Sequence, residues 1–141
     1  MKELLARLES FPLSINALLC RWGVAAIFWR SGQTKVHGFF EIDPSTFDLF
    51  RDEYKIPLIP PEIAAVMATI SEHLFSALLV IGLASRLSAA ALFGMTMVIE
   101  IFVYPDSWPD HLLWSSALLL VLFHGPGKYS IDYLLRARFL R

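Results

Sequence analysis

Cysteine is almost absent from this chain, which contains only Cys20. A single cysteine cannot form an internal disulfide bond or a CxxC redox pair, and it cannot build a cysteine-based zinc site within one chain. Membrane quinone reductases that work through paired cysteines are excluded for the same reason. Any redox chemistry must therefore depend on another group or on another protein.

Charged residues are also scarce. They make up 18% of the 141 residues, against roughly a quarter in soluble domains. Hydrophobic residues reach 56%, and the mean hydropathy is +0.56. The formal net charge is −1, which gives no basic excess for binding nucleic acid. The composition predicts that the main partner of this protein is the lipid bilayer, and that nucleic acid is not a partner.

The sequence lacks the motifs of an independent enzyme. It has no nucleophile with a base at readable spacing, no phosphate-binding loop and no cofactor motif, so no catalytic residue is assigned. No ExxH or HxxxH pair is present, and no metal site is predicted. Haem is disfavoured because His73 and His111 are expected at different depths. The sequence therefore gives no support for an independent catalytic activity.

Long apolar runs are what the sequence does contain. Four of them, with their flanking turns, reach the length needed to cross roughly 30 Å of hydrocarbon. Short links between them favour antiparallel neighbours. We therefore predict an all-α membrane protein, a four-transmembrane-helix antiparallel bundle that forms a single domain over residues 1–141. The predicted helices cover residues 12–31, 61–83, 86–104 and 109–125.

Positive charges near the ends of these runs are distributed unequally. Seven Lys or Arg residues are expected on one side of the bundle. The other side carries four, which are mixed with acidic residues between positions 30 and 62. The positive-inside rule then predicts a multi-pass protein with both termini in the cytoplasm. The cytoplasmic side would carry Lys2, Arg7, Arg86, Lys128, Arg136, Arg138 and Arg141.

The segment of residues 39–59 is the only long connection. It mixes Phe47 and Phe50 with acidic residues, and residues 43–45 read Asp-Pro-Ser, a helix-start signal. This pattern predicts a short amphipathic segment lying on the outer membrane face between helices 1 and 2.

Ionisable side chains inside the runs are costly and require a partner or a cavity. Arg21 and Glu72 are expected near the midplane, where an ion pair between helices 1 and 2 is one reading and a role in ligand or proton handling is the other. Glu100 and His111 are expected about 7 to 8 Å further out. His73 is expected to be a satisfied bundle histidine.

The outer polar layer suits a small ligand. A carboxylate, an imidazole and tryptophan faces open to the outside would suit a polar or quinone-like head group. The cofactor stays unassigned, with a quinone as the class that this layer favours. The candidate pocket residues are Arg21, Trp29, Lys35, Glu72, Glu100 and His111.

Three stretches resemble the DoxX family. Residues 21–23 and 31–35 are similar to its R-x-G … G-x-x-K opening, and Glu72 with residues 79–86 is similar to its second helix and turn. Residues 125–132 resemble its closing GPGxxSxD. The residues that match the pattern are Arg21, Gly32, Lys35, Glu72, Gly82, Arg86, Gly125, Gly127 and Asp132.

The resemblance implies a small four-helix protein of the bacterial inner membrane, associated with redox or quinone-linked complexes. Its partners would be other membrane or periplasmic redox proteins, and the chain would be at most a subunit of an oxidoreductase. The outer polar residues themselves predict a polar pocket open to the periplasmic side. The alternative is a structural or assembly partner that acts through residues 39–59. A transporter or metal-handling role is less favoured, because the cytoplasmic half of helices 3 and 4 is almost wholly apolar. Small-residue helix faces would also permit a homodimer.

Overall fold

The computed structural model describes residues 1, 3–5, 10–38 and 40–139. Four long helices occupy the four apolar runs. In chain order the elements are α1 (Leu13–Gln33), β1 (Val36–His37), β2 (Glu41–Ile42), α2 (Pro44–Asp48) with a π turn (Leu49–Tyr54), α3 (Pro61–Ile81), α4 (Ser85–Val98) with a π segment (Ile99–Val103), a 3-10 turn (Pro105–Ser107), α5 (Trp108–His124) and α6 (Ile131–Phe139).

The four long helices form one bundle. Helix α1 packs against α3 and α5, and α4 packs against the same two helices. The core between them is built from side chains of all four, including Phe28, Leu79, Leu92 and Leu118, each at most 1% exposed. Two helical stretches among the described residues are long and apolar enough to cross a membrane, Pro61–Ile81 and Ser85–Val103.

The ends of the bundle differ in construction. We call the end that carries residues 34–38, 40–60 and 104–107 the hairpin end, and the end that carries residues 82–84 and 125–130 the turn end. At the turn end, α3 stops at Gly82, whose φ of 73° is in the left-handed region and whose N–H donates to Leu78 O at 2.9 Å. The sharp reversal that follows places α4 antiparallel to α3.

Gly32 lies inside α1, although the first helix was predicted to end at residue 31. The helix continues to Gln33, and a Cβ on Gly32 would lie 2.7 Å from Cε1 of His73. The absence of a side chain lets α1 approach α3 closely at this level. Gly32 therefore marks helix contact, and a sequence pattern alone does not distinguish that from a helix stop.

The third apolar run is not a uniform helix. Helix α4 is regular to Val98 and then widens into π turns over Ile99–Val103, where Tyr104 N donates to Ile99 O at 2.8 Å. Such wider turns shift the side chains that follow them and are frequent at functional sites. The widened segment contains Glu100.

The long connection folds onto the hairpin end of the bundle. Val36 pairs with Ile42 in a two-stranded hairpin, and the Asp43 side chain caps α2 by accepting from Ser45 N at 2.9 Å. Phe50 is 2% exposed and packs with Ala64 and Ala65 of α3. The apolar side of this segment covers the bundle. That the segment lies on the outer membrane face stays a prediction.

Candidate functional site

A cavity of about 150 Å³ lies inside the bundle near its hairpin end. Side chains from α1, α3, α4 with its π segment, and α5 form its walls, and Phe50 and Tyr54 cover it from the long connection. Most of the wall is apolar, with Phe28, Met95 and Ile99 among the contributors. The polar residues that line it are Ser31, Lys35, Tyr54, Glu72, Tyr104 and His111.

An ion pair between Lys35 and Glu72 forms the polar wall of this cavity. Lys35 Nζ lies 3.0 Å from each carboxylate oxygen of Glu72, and the two side chains are 5% and 4% exposed. Ser31 Oγ donates to Glu72 Oε1 at 3.0 Å, and Lys35 Nζ also donates to Ser31 O at 3.2 Å. Additional hydrogen bonds of this kind are what makes a buried pair tolerable.

One carboxylate oxygen of Glu72 lacks a hydrogen bond within the described part of the chain. Glu72 Oε2 is within ionic contact of Lys35 Nζ, yet it has no aligned hydrogen-bond donor among the residues that the structure describes. A buried acceptor without a donor is unfavourable unless a ligand or water supplies one. This oxygen is therefore suited to accept a hydrogen bond from a molecule in the cavity.

Arg21 does not pair with Glu72, so that prediction was wrong. Arg21 is fully buried, and its guanidinium donates to Leu79 O at 2.8 Å and to Tyr129 O at 2.6 Å. The antiparallel register of α1 and α3 sets Arg21 against the last turn of α3, whose carbonyls have no partner within the helix. Arg21 thus joins α3 to the segment before α6, at the end opposite the cavity.

Glu100 and His111 are in direct contact. His111 Nδ1 lies 2.5 Å from Glu100 Oε2; the His111 side chain is 3% exposed and that of Glu100 is 26% exposed. His111 lines the cavity, and together with Glu100 it also lines a lateral groove of about 340 Å³ between α4 and α5. The imidazole therefore stands between the interior cavity and a surface groove.

Trp29 lies outside the cavity. Its ring packs 5.0 Å from the His73 ring on the outer side of α1 and α3. His73 Nδ1 contacts Thr69 O at 2.7 Å, and its Nε2 contacts the Gln33 amide at 2.9 Å. His73 thus has partners at both ring nitrogens, as expected from the sequence.

Two tyrosines near the cavity were missed by sequence reasoning. The rings of Tyr54 and Tyr104 lie 5.7 Å apart, and the Tyr104 hydroxyl donates to Glu53 Oε1 at 2.6 Å. The bond to Glu53 raises the pKa of Tyr104 well above its usual range, and burial raises the pKa of Tyr54. Tyr104 reads in the sequence as a simple interfacial anchor, and no local pattern links two residues so far apart.

Metal binding has little support in the part of the chain that the structure describes. No group of three His, Cys, Asp or Glu side chains there is arranged to hold a metal ion. The polar groups at the cavity are instead a lysine, a carboxylate, an imidazole and hydroxyls. This donor set suits hydrogen bonding to oxygen atoms of a small organic ligand.

Comparison with known proteins places these residues in a family. The DoxX family profile matches residues 16–105, which include Lys35, Glu72 and Glu100. A protein of Haemophilus influenzae, named only as an uncharacterized protein, is 27% identical over 140 residues that cover 92% of this chain and 89% of the relative. No solved structure gives a significant match. The chain belongs to the DoxX family of membrane proteins.

Proposed function

We propose that this protein is a four-span subunit of the bacterial inner membrane that binds a quinone head group in the 150 Å³ cavity, as an accessory to a redox complex. The observation that carries the proposal is an apolar cavity with a buried Lys35–Glu72 pair on one wall and His111 on another. Polar groups at a few points of an apolar pocket orient a ligand and select it.

The size of the cavity favours a single ring. A protein cavity of about 150 Å³ accommodates one benzene-sized molecule. A benzoquinone head group has this size and carries two carbonyl oxygens that accept hydrogen bonds. The three N–H groups of Lys35 are used by Ser31 O, Ser31 Oγ and Glu72 Oε1. The donors to the quinone carbonyls would therefore come from His111 and Tyr54, depending on tautomer and hydroxyl orientation. The reduced quinol would donate to Glu72 Oε2.

The Glu100–His111 contact supports an exchange of protons with the cavity. Reduction of a quinone to a quinol consumes two electrons and two protons. The electrons would come from a membrane or periplasmic redox protein bound to this subunit. The protons would pass between the lateral groove and the cavity through His111, which touches both.

The four-span arrangement is supported by helix length and by the exposed surface. Helix α1 has 21 residues and therefore a length of about 31 Å, and α5 with its preceding turn is similar. Apolar side chains are exposed on all four helices, as lipid contact requires. They include Leu19 on α1, Met67 on α3, Leu87 on α4 and Leu113 on α5. The excess of Lys and Arg at the turn end favours a cytoplasmic location for the termini.

A matched pair of substitutions on α3 tests quinone binding. Ala68 lines the cavity, whereas Ala77 is exposed on the same helix. In lipid nanodiscs, we expect Ala68→Phe to weaken binding of a short-chain benzoquinone at least tenfold, because the ring fills the space that the ligand needs. Ala77→Phe should bind like the original protein. Equal binding by both variants would exclude the cavity as the quinone site.

An assembly role has one supporting observation. Leu58 is fully exposed next to Ile59 at the hairpin end, in a part of the long connection that does not pack into the bundle core. Such a pair of apolar residues would suit contact with a neighbouring membrane or periplasmic protein, or with a second copy of this chain. Crosslinking from position 58 in the membrane would identify a partner, and a double substitution of Leu58 and Ile59 by Ser should remove the crosslink.

A further inference from the structure

A second groove, of about 400 Å³, lies at the turn end of the bundle. It is formed by the start of α4, the end of α5, residues 125–128 and α6. Four of its lining side chains are basic or can become so: Arg86, His124, Lys128 and Arg136. This groove is remote from the cavity, and nothing in the proposed quinone site accounts for it.

The one acidic side chain in this groove is already engaged. Asp132 accepts from Ala84 N through Oδ1 and from Ser85 N through Oδ2, both at 2.8 Å. Its own N–H donates to Gly82 O at 2.9 Å. Asp132 therefore ties the start of α6 to the turn between α3 and α4, and both of its oxygens are used by the backbone.

The three permanent cations have no such partners. Arg86, Lys128 and Arg136 are exposed, and none of them forms an ion pair with another residue in the described ranges. Gly125 has a φ of 88°, and a Cβ there would lie 3.3 Å from Nη2 of Arg86. The glycine thus lets the guanidinium lie against the turn that follows α5. The result is a concave surface with a net positive charge, since three permanent cations face one carboxylate.

In the four-span arrangement proposed above, on which this step rests, α6 brings this surface to the level of lipid head groups. Leu134, Leu135 and Phe139 are exposed on α6, beside Arg136 and Arg138. A short helix with exposed apolar residues and arginines is typical of one that lies in the membrane interface. Basic pockets at this depth between helices are known sites for anionic head groups. We propose that the groove binds the phosphate of an anionic phospholipid through Arg86, Lys128 and Arg136.

Lipid retention in mixed nanodiscs tests this site. The protein is reconstituted with phosphatidylcholine and a minor fraction of phosphatidylglycerol, and native mass spectrometry counts the lipids that stay bound. We expect phosphatidylglycerol to be enriched over its bulk ratio, and the triple variant R86Q/K128Q/R136Q to return to that ratio. The matched control R30Q/R51Q/K55Q removes three cations at or next to the hairpin end and should keep the enrichment.

A single variant, a charge-preserving double variant and a competition with inorganic phosphate complete this test. Lys128→Gln alone changes an exposed side chain and should reduce enrichment by about fivefold at most, without affecting folding. R86K/R136K preserves charge and should retain most of the enrichment. Inorganic phosphate should not displace the lipid; displacement would assign the site to free phosphate and overturn the lipid assignment. Equal enrichment in the two triple variants would refute the groove as an anion site.

Discussion

Lys35 Nζ contacts both carboxylate oxygens of Glu72 at 3.0 Å, and the two residues come from opposite sides of the contact between α1 and α3. Lys35 follows the end of α1 by two residues, and its ammonium turns back toward Ser31 O in the last turn. The pair therefore fixes the end of α1 against α3 and gives the cavity its polar wall.

Removal of the lysine should destabilise the protein strongly. Lys35→Met leaves Glu72 without its cation in a buried position, which costs roughly 3 to 5 kcal/mol in comparable pairs. The double variant Lys35→Met/Glu72→Met should recover most of this loss, because apolar residues then replace both charges. Thermal unfolding in detergent micelles measures the cycle. Additive losses in the double variant would show that the two side chains act independently.

Two glycines of α1 should respond oppositely to alanine. Gly32→Ala places a Cβ 2.7 Å from the His73 ring and should lower stability by about 1 to 3 kcal/mol. Gly23 has nothing within 4 Å of the added carbon, so Gly23→Ala should be neutral or raise stability by up to about 1 kcal/mol. Melting temperatures of the two variants decide this, and equal effects would contradict the close approach at Gly32.

Tyr104 should ionise at an unusually high pH. Its hydroxyl donates to Glu53, which raises its pKa. The fold favours the protonated phenol, so this contribution to stability is present below the ordinary tyrosine pKa of about 10 and is lost as the pH rises through the raised value. Absorbance titration near 295 nm should show a late component that Tyr104→Phe removes and Glu53→Gln shifts to lower pH. An unchanged titration in Glu53→Gln would contradict the contact.

Sidedness can be read from single cysteines in a Cys20→Ala background. Leu58→Cys, at the hairpin end, should react with a membrane-impermeant maleimide in spheroplasts, because this end is proposed to face the periplasm. Lys128→Cys, at the turn end, should react only after the membrane is opened. The opposite pattern would reverse the orientation. Labelling of both positions from outside would rule out the four-span arrangement.

The helices were predictable because their limits depend on local chemistry. Pro60 and Pro61 allow a helix to start but not to continue through them, and Gly82 adopts the left-handed conformation that ends α3. The capping of α2 by Asp43 follows the same logic. The membrane character follows from composition, and the family resemblance is confirmed by the DoxX match over residues 16–105.

The partners of the buried charged side chains could not be predicted from the sequence. Depth counted from the centres of the runs placed Arg21 beside Glu72, because that count assumes that all helices are centred alike. The actual register sets Arg21 against Leu79 and leaves Glu72 to Lys35, which lies beyond the helix end. Helix α6 was missed because its nine residues are too few and too polar to give a hydropathy signal.

The contact between Glu100 and His111 was within reach of the sequence, since both residues lie about equally far from the link between α4 and α5. The different solvent exposures of the two side chains could not be predicted from the sequence. The π turns after Val98 change the direction in which Glu100 faces. No residue type in Ile99–Val103 predicts a π turn. Trp29 was included in the pocket on depth alone, but rotation about α1 turns it to the outer side.

Photolabelling with a short-chain azido-benzoquinone tests the central proposal most directly, because it reports where the ring sits. Labelled protein in nanodiscs is digested and the modified residues are mapped by mass spectrometry. We predict modification on cavity residues such as Met95, Ile99 and Trp114, suppressed by excess unlabelled quinone and by Ala68→Phe but not by Ala77→Phe. Modification confined to lipid-facing residues such as Met67 and Leu113, without competition, would contradict the proposal.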